Sequence, residues 1–547
     1  MLSILGFMVV LGPLVVVHEF GHFLFARIFG VKAEVFSVGF GPTLFKKQWG
    51  ETEYRLSWLP LGGYVKLLGA EPDEELSEAD LKRALYRQAP WKRFFIFFGG
   101  PLFNFVFAVF AFMAILIIGE QQIASVVGRV IQSSAAEIAG FRQGDRIVEV
   151  QGKAVTKFEE VATALHDLPN QRVQIGVIRE GAPRDSRPEV LQVETKPEAG
   201  FSVYGEEKSI GTIDGIFPTA RSTELGVSDP RLKAGESGLK TGDKILAFNG
   251  VEVKTWEQLE QRVRNMPVGE SFRLTIQAKE ALSTPQAIEL QKTSMRDDLG
   301  TLAGIYSSEM FVEKTLEGSP ADQAGLKAGD RLISIDGKQL RSFFELKDAI
   351  QHGGEKNGKV QVKWQRNGEI FDREIAPTAT QSRDPLLKKQ VAFTIGVVPQ
   401  LFWAEPEFVV ERVFNPFKLV YLATERMAVF SWRNLVSIRK MFTGDVSVAT
   451  LGGPILIGKI AGESLSRGLI AVLTTMAVLS VGLGVLNILP VPVLDGGHLL
   501  LLGIEMVRGK PLTLRQMEIV QQVGLSLIVL LMVVVMKNDL SRLPIFN

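Results

Sequence analysis

Two long stretches without a charged residue constrain this chain more than any other feature. They cover residues 94–118 and 469–493, and each exceeds the roughly 20 residues that a helix needs to cross about 30 Å of hydrocarbon. A shorter apolar stretch at 519–536 is also sufficient. The N-terminal segment 1–30 supplies a fourth candidate, for which a signal peptide is the alternative. The sequence therefore predicts a polytopic α-helical membrane protein with four transmembrane helices.

The composition excludes several classes of function. Lys and Arg number 61 and Asp and Glu 60, so the formal net charge is +1. This balance argues against a protein that binds nucleic acid through bulk positive charge. The chain has no cysteine, which excludes disulfides, thiolate zinc sites, iron–sulfur clusters and thiol catalysis.

Basic residues in the short loops predict the orientation in the membrane. Lys and Arg are frequent in residues 31–93 and recur between the last two spans, at Arg508, Lys510 and Arg515. Loops of this kind stay in the cytoplasm. Both chain ends and the long region from about 120 to 468 are then expected on the other side of the membrane.

This long region contains an internal repeat. The segments 143–152, 241–250 and 328–337 all carry Gly-Asp, a basic residue and an apolar strand pattern, which predicts three similar units. They resemble PDZ domains, and we assign them to residues 121–217, 218–310 and 311–400.

In PDZ domains, a glycine-containing loop and the strand that follows receive a peptide by strand addition. Candidates for this glycine come late in each unit, at Gly211, Gly304 and Gly396, an order that suits a circularly permuted PDZ domain. The alternative is that the units are folded spacers that bind no peptide.

The segment 405–468 combines apolar residues with several basic ones. This pattern is typical of an amphipathic helix that lies in the membrane interface. A soluble helix packed on the repeated units is the alternative.

His18-Glu19-Phe20-Gly21-His22 lies inside the first apolar segment. On a helix, two histidines four residues apart share a face and can bind one zinc ion, and the adjacent Glu19 can accept a proton from a zinc-bound water. Ionisable groups at this depth are costly in free energy and mark functional sites. A structural metal or a proton relay is the alternative.

Zinc needs a third protein ligand, and the end of the third apolar segment offers two candidates. Asp495 and His498 follow Pro490 and Pro492, which cannot continue a regular helix. By the topology above, this stretch lies at a depth similar to that of His18. Both residues remain candidates on these grounds.

The two motifs together with the PDZ-like units resemble the site-2 protease family, in its bacterial branch that cleaves anti-sigma factors and remnant signal peptides. HEFGH and NILPVPVLDGG match the family patterns. The resemblance implies that Zn²⁺ is held by His18, His22 and Asp495, that Glu19 is the general base and acid, and that Asn487 helps to hold the substrate backbone. Well-known enterobacterial members carry two PDZ units, whereas the internal repeat predicts three in this chain.

The loop region 31–93 alternates and turns like β-hairpins around Gly39, Gly41, Gly62 and Gly63. In the family, such segments form a membrane-associated β element near the zinc. An open strand edge there could receive an unwound transmembrane substrate. An ordinary cytoplasmic hairpin is the alternative.

Taken together, these features predict an intramembrane zinc endopeptidase of the bacterial inner membrane that acts on single-span membrane proteins in regulated intramembrane proteolysis. Its active site is expected toward the cytoplasmic side and its PDZ-like units on the extracytoplasmic side, where they could bind peptide C-termini. The alternatives are a membrane-anchored PDZ scaffold with a structural metal, or a zinc or proton transporter. The intact Glu19 argues against both, because neither needs a base there.

Overall fold

The computed structural model describes residues 2–70, 76–183, 186–201, 207–279, 284–383, 389–446, 448–510 and 512–542. They divide into two compact units. The helical unit combines the residues up to 121 with those from 410 onward, and the repeat unit comprises 122–201 and 207–409.

The helical unit begins with two long apolar helices separated by a β-hairpin. The elements are α1 (Leu2–Ile28), β1 (Ala33–Trp49), β2 (Thr52–Leu67), the short α2 (Glu78–Leu81) and α3 (Pro90–Ile118). Pro90 suits the first turn of α3, where no backbone N–H is needed, and Gly119 ends the helix with a φ of 99°. Gly21 of α1 lies against Gly99 of α3, where a Cβ would be 2.1 Å from the Gly99 carbonyl oxygen.

The hairpin folds back on itself. Ser37 of β1 pairs with both Arg55 and Tyr64 of β2, so the first half of β1 lies between the two halves of β2. Gly39 and Gly41, with φ of 90° and 85°, occupy the bend in β1, a conformation that L-residues with a Cβ rarely adopt. Residues 63–67 therefore form one edge of this sheet.

The repeat unit consists of three successive repeats of helices and strands. After the strand β3 (Glu120–Ile123), repeat 1 contains β4 (Arg129–Val130), α4 (Ala135–Ile138), β5 (Arg146–Val150), β6 (Lys153–Ala154), α5 (Phe158–Leu165), β7 (Arg172–Ile178), β8 (Glu189–Glu194), β9 (Lys196–Phe201), β10 (Glu207–Thr212) and β11 (Ile216–Phe217). Repeat 2 contains β12 (Leu225–Val227), α6 (Lys233–Glu236), β13 (Lys244–Phe248), β14 (Val251–Glu252), α7 (Trp256–Asn265), β15 (Ser271–Gln277), β16 (Gln286–Gln291), α8 (Leu299–Ala303) and β17 (Ile305–Ser307). Repeat 3 contains β18 (Val312–Thr315), α9 (Pro320–Gln323), β19 (Arg331–Ile335), β20 (Lys338–Gln339), α10 (Phe343–Lys356), β21 (Val360–Arg366), β22 (Glu369–Ile375), β23 (Thr378–Arg383), β24 (Lys389–Thr394) and β25 (Val397–Pro399).

Each repeat is built on a four-stranded antiparallel sheet with the same strand order: β6-β5-β7-β8, β14-β13-β15-β16 and β20-β19-β21-β22. In each repeat the last strand pairs antiparallel with the first, as β11 does with β4, β17 with β12 and β25 with β18. Three separate clusters of buried apolar side chains form the cores. Each repeat is thus closed by its own first and last strands.

The chain then continues through β26 (Phe408–Glu411) into five helices, α11 (Pro416–Thr443), α12 (Pro454–Arg467), α13 (Leu469–Ile488), α14 (Asp495–Arg508) and α15 (Leu514–Ser541). The expected amphipathic segment thus forms the two helices α11 and α12. A buried core joins α3, α11 and α13 around Phe112, Ala423 and Val481.

Among the described residues, four helices are long and apolar enough to cross a membrane, namely Leu2–Ile28, Pro90–Ile118, Leu469–Ile488 and Arg515–Ser541. They coincide with the four apolar segments of the sequence. The third helix ends at Ile488, earlier than the apolar stretch, because Pro490 and Pro492 supply no backbone N–H to extend it. The irregular turn that follows leads directly into α14.

Candidate metal centre

Helix α1, the first candidate membrane span, carries His18, Glu19 and His22. The one-turn spacing places the two imidazoles on the same face, and their Nε2 atoms lie 3.3 Å apart. His18 is 9% exposed and Glu19 and His22 are half-buried. The His-Glu-x-x-His motif therefore has the side-chain arrangement expected from the sequence.

Asp495, the first residue of α14, completes a cluster of three possible ligands. Its Oδ2 lies 3.2 Å from His18 Nε2 and its Oδ1 lies 3.3 Å from His22 Nε2. Donor atoms bound to one tetrahedral zinc at about 2.0–2.1 Å are about 3.3–3.4 Å from one another. The three donor atoms therefore have the spacing of a zinc site.

The ionisation states of the cluster also suit a metal. Burial raises the pKa of the Asp495 carboxyl, but the adjacent imidazoles of His18 and His22 outweigh this and hold that pKa below its usual value. His22 Nδ1 lies 2.7 Å from the Ile96 carbonyl oxygen, which can only accept. Nδ1 is therefore the protonated nitrogen, and Nε2 directs its lone pair toward the cluster.

Gly100 of α3 leaves room beside the imidazoles. A Cβ at this position would lie 2.3 Å from His22 Nε2 and 2.6 Å from His18 Cε1. Atoms this close cannot coexist without a shift of the backbone or of the histidine rings. The absence of a side chain at Gly100 is thus a condition for the observed ligand arrangement.

Strand β2 of the hairpin lies next to Glu19. The backbone N–H of Val65 faces the Glu19 carboxylate, and a Cβ on Gly63 would be 3.2 Å from Glu19 Cγ. Residues 63–67 are the sheet edge described above. The candidate base therefore lies directly beside this strand edge.

The other predicted residues of the hairpin lie farther along the same sheet. Gly39 is buried and Gly41 is exposed, and both lie in the bend of β1. Gly62 packs against Phe40, whose Cε2 would be 2.1 Å from a Cβ at position 62. The structure thus brings Gly63 to Glu19, while the other three glycines shape the sheet.

The end of α13 contributes a further polar group. Asn487 Nδ2 lies 3.4 Å from His18 Nε2, so the predicted substrate-binding amide is next to the cluster. His498, the competing third ligand, instead stacks on Phe97 with ring centroids 4.8 Å apart and an interplanar angle of 8°. Burial lowers the pKa of His498, which favours a neutral ring in this stack.

The glycines predicted for the repeats occupy two kinds of position. Gly304 and Gly396 have positive φ and directly precede the closing strands β17 and β25. In repeat 1 the residue before the closing strand is Gly215, with a φ of 89°. Gly211 lies within β10, where it packs against the carbonyls of Leu165 and Leu168.

Val493 has a φ of 81°, a conformation that is strongly disfavoured for a β-branched residue. It lies in the turn between α13 and α14, two residues before Asp495. Such strain costs about 1–3 kcal/mol and persists where the surroundings enforce it. Here the two prolines and the start of α14 restrict the turn.

We expect Val493→Gly to stabilise the protein. Relief of the strained φ, reduced by the larger entropy of glycine in the unfolded chain, should raise the free energy of unfolding by about 1 kcal/mol. Thermal unfolding in detergent measures this change. Val491→Gly is the matched control and should lower the stability, because Val491 has no positive φ to relieve. Equal destabilisation by both variants would contradict the assigned strain.

Two residues near the cluster are not predicted from the sequence. Gly100 and Asn104 lie in the uncharged stretch of α3, and Asn104 Nδ2 is 3.0 Å from His18 Nδ1. A single polar residue within an apolar span was the available signal for Asn104. The sequence contains no comparable signal for Gly100, because this residue matters only through the space that its missing side chain leaves beside the imidazoles.

Known proteins match this chain over nearly its entire length. A family model described as Peptidase family M50 matches residues 6–531. The chain belongs to peptidase family M50. A protein from Neisseria meningitidis named as a zinc metalloprotease is 32% identical over 544 residues, with 99% of each chain covered.

Two further relatives carry names that refer to sigma-E regulation. The regulator of sigma-E protease RseP from Escherichia coli is 28% identical over 540 residues, and the match covers 98% of each chain. The regulator of sigma E protease from Haemophilus influenzae is 29% identical over 549 residues, with 99% of each chain covered. Together with the family match, these relatives identify an intramembrane zinc protease of the type that acts in regulated intramembrane proteolysis.

A solved structure of a PDZ domain protein from Parabacteroides distasonis aligns with 54% of this M50 chain and 100% of its own, at 9% identity and a TM-score of 0.13. A score this low supports no conclusion about the repeats.

Proposed function

We propose that this protease binds zinc through His18 Nε2, His22 Nε2 and the Asp495 carboxylate, and cleaves peptide bonds of membrane-spanning substrates. The separations of 3.2–3.3 Å among these donor atoms carry the proposal. A zinc ion with three protein ligands keeps its fourth position for water or substrate, as catalytic zinc sites do.

The surrounding residues have distinct roles in this proposal. Bound zinc supplies a Lewis acid that polarises the scissile carbonyl and lowers the pKa of water toward about 7. The Glu19 carboxylate accepts a proton from the attacking water and passes it to the leaving amine. The Asn487 amide, beside His18, donates a hydrogen bond to the substrate backbone.

The hairpin edge gives the substrate a place to bind. Peptide bonds of a transmembrane helix are protected by its own hydrogen bonds, so the substrate must unwind before cleavage. An extended substrate segment can pair with residues 63–67 by strand addition. This position would align the substrate backbone with Glu19, because Gly63 and Val65 contact that side chain.

The orientation of the protein in the membrane and the identity of its substrates are parts of the same proposal. The basic loops favour a cytoplasmic location for the hairpin, and the repeats would then face the extracytoplasmic side. There, the closing strand of each PDZ-like repeat could bind a peptide C-terminus. The names of two relatives refer to the regulation of sigma E, and we propose anti-sigma factors and remnant signal peptides as the single-span substrates of this protease.

The Asp495→Asn variant tests the ligand set. An amide is a poorer zinc ligand than a carboxylate, so we expect the zinc content of purified protein to fall well below that of the wild type and cleavage to be lost. Metal analysis by mass spectrometry measures the first effect. His498→Gln is the matched control and should keep its zinc, since His498 stacks on Phe97. Zinc retained by Asp495→Asn but lost from His498→Gln would reverse the assignment.

A further inference from the structure

Helix α3 lines the metal centre, although it carries none of the predicted ligands. Ile96, Gly100 and Asn104 follow one another at intervals of four residues and therefore lie on one face of the helix. Each of them contacts an imidazole: Ile96 through its carbonyl oxygen, Gly100 through its bare Cα and Asn104 through its side-chain amide. One stripe of α3 thus borders both histidines.

The two histidines are held differently. His22 donates its Nδ1 proton to a backbone carbonyl, which fixes Nε2 as the free nitrogen. Among the residues that the structure describes, no carbonyl pairs with His18 in this way, and the group facing its Nδ1 is the carboxamide of Asn104. The zinc-binding form of His18 therefore depends on which end of this amide faces the ring.

The hydrogen-bond pattern around Asn104 indicates which end that is. Asn104 is fully buried, and its Oδ1 finds no hydrogen-bond donor among the described residues. With Nδ2 facing His18, the amide would donate to Nδ1 and leave the proton on Nε2, where the ligand lone pair must be. A 180° rotation of the amide exchanges the two ends without changing its shape. Oδ1 then accepts the Nδ1 proton of His18 and is no longer unpaired.

We propose that Asn104 is a positioning residue whose carboxamide oxygen accepts the Nδ1–H of His18 and so presents Nε2 to zinc. This proposal rests on the metal site proposed above. Asn104 plays for His18 the part that the Ile96 carbonyl plays for His22. Outer hydrogen bonds of this kind orient the imidazole and increase its basicity as a ligand.

The backbone of Asn104 is itself fixed to the helix that leads to the third ligand. Ser480 Oγ donates to the Asn104 carbonyl oxygen at 2.8 Å, and both residues are fully buried. Ser480 lies on α13, which ends shortly before Asp495. Ser480→Ala therefore removes a hydrogen bond next to Asn104 while leaving the amide in place, and it serves as a matched control.

Zinc affinity of the full-length protein in detergent, measured by competition with a chelator, tests the role of Asn104. We expect Asn104→Leu, which has a similar size and no acceptor, to weaken zinc binding by about 10–100-fold. Asn104→Asp keeps an acceptor oxygen and should bind zinc about as tightly as the wild type. Ser480→Ala should do the same. Thermal unfolding of the zinc-free proteins checks that each variant is folded.

The outcomes separate this role from a purely structural one. Wild-type zinc affinity in Asn104→Leu, or equal weakening in Asn104→Leu and Asn104→Asp, would overturn the proposal. His22→Ala is measured in parallel as a test of the site itself. If His22→Ala loses zinc and Asn104→Leu does not, only the positioning role fails. If His22→Ala also keeps its zinc affinity, the ligand set fails and the role of Asn104 fails with it.

Discussion

Glu19→Gln is expected to reduce the rate of substrate cleavage by about 10²–10⁴-fold, the contribution typical of a general acid–base group. The amide has nearly the same size as the carboxylate but cannot accept the proton of the attacking water. Zinc should remain bound, because Glu19 is outside the cluster formed by His18, His22 and Asp495. Cleavage of a single-span substrate in proteoliposomes, together with metal analysis of the same preparation, measures both effects.

The comparison with Asp495→Asn makes this test specific. Both variants should lose activity, but only Asp495→Asn should lose zinc. Near-normal cleavage by Glu19→Gln would remove Glu19 from the proton transfer. Loss of zinc from this variant would instead indicate that Glu19 supports the metal site, so that its inactivity could not be attributed to a missing base.

Gly100→Ala should have a comparably large effect, even though it adds a single methyl group. The new Cβ would be 2.3 Å from His22 Nε2 and 2.6 Å from His18 Cε1, so at least one imidazole must move out of the ligand arrangement. We expect a loss of zinc affinity of at least about 10–100-fold, as for other disruptions of ligand orientation. Overpacking of the α1–α3 interface should also lower the free energy of unfolding by about 1–3 kcal/mol.

Gly482→Ala on α13 provides the control for Gly100→Ala. No atom that the structure describes lies within 4 Å of a Cβ at position 482, outside its own helix backbone and chain neighbours. The same substitution in another apolar span should therefore leave zinc affinity and cleavage unchanged. Equal effects of the two variants would show that added volume in the helices, rather than contact with the histidines, causes the loss.

The elements predicted best are those with a strong local signal. Uninterrupted apolar stretches predicted the four long helices, and the repeated Gly-Asp blocks predicted three units of like topology. His18, Glu19 and His22 were found because a four-residue spacing determines which side chains share a helix face. The structure brings Asp495 to them, although spacing alone left Asp495 and His498 as alternatives.

Other features depend on contacts between distant parts of the chain. The approach of Asn104 to His18 spans 86 residues, and an asparagine in an apolar stretch does not reveal its partner. The return of β1 between the two halves of β2 depends on the bend at Gly39 and Gly41, which local alternation does not predict. Likewise, Gly215 rather than Gly211 precedes the closing strand of repeat 1, because the hairpin β9–β10 comes before it.

The pairing of first and last strands within each repeat has a consequence for the evolution of this protein. The two ends of each repeat lie side by side in neighbouring strands, as in β12 and β17. A duplication or deletion of one whole repeat would therefore preserve the internal strand pairing of those that remain. The number of repeats can then differ between related proteases while the sequence around the catalytic metal is inherited unchanged.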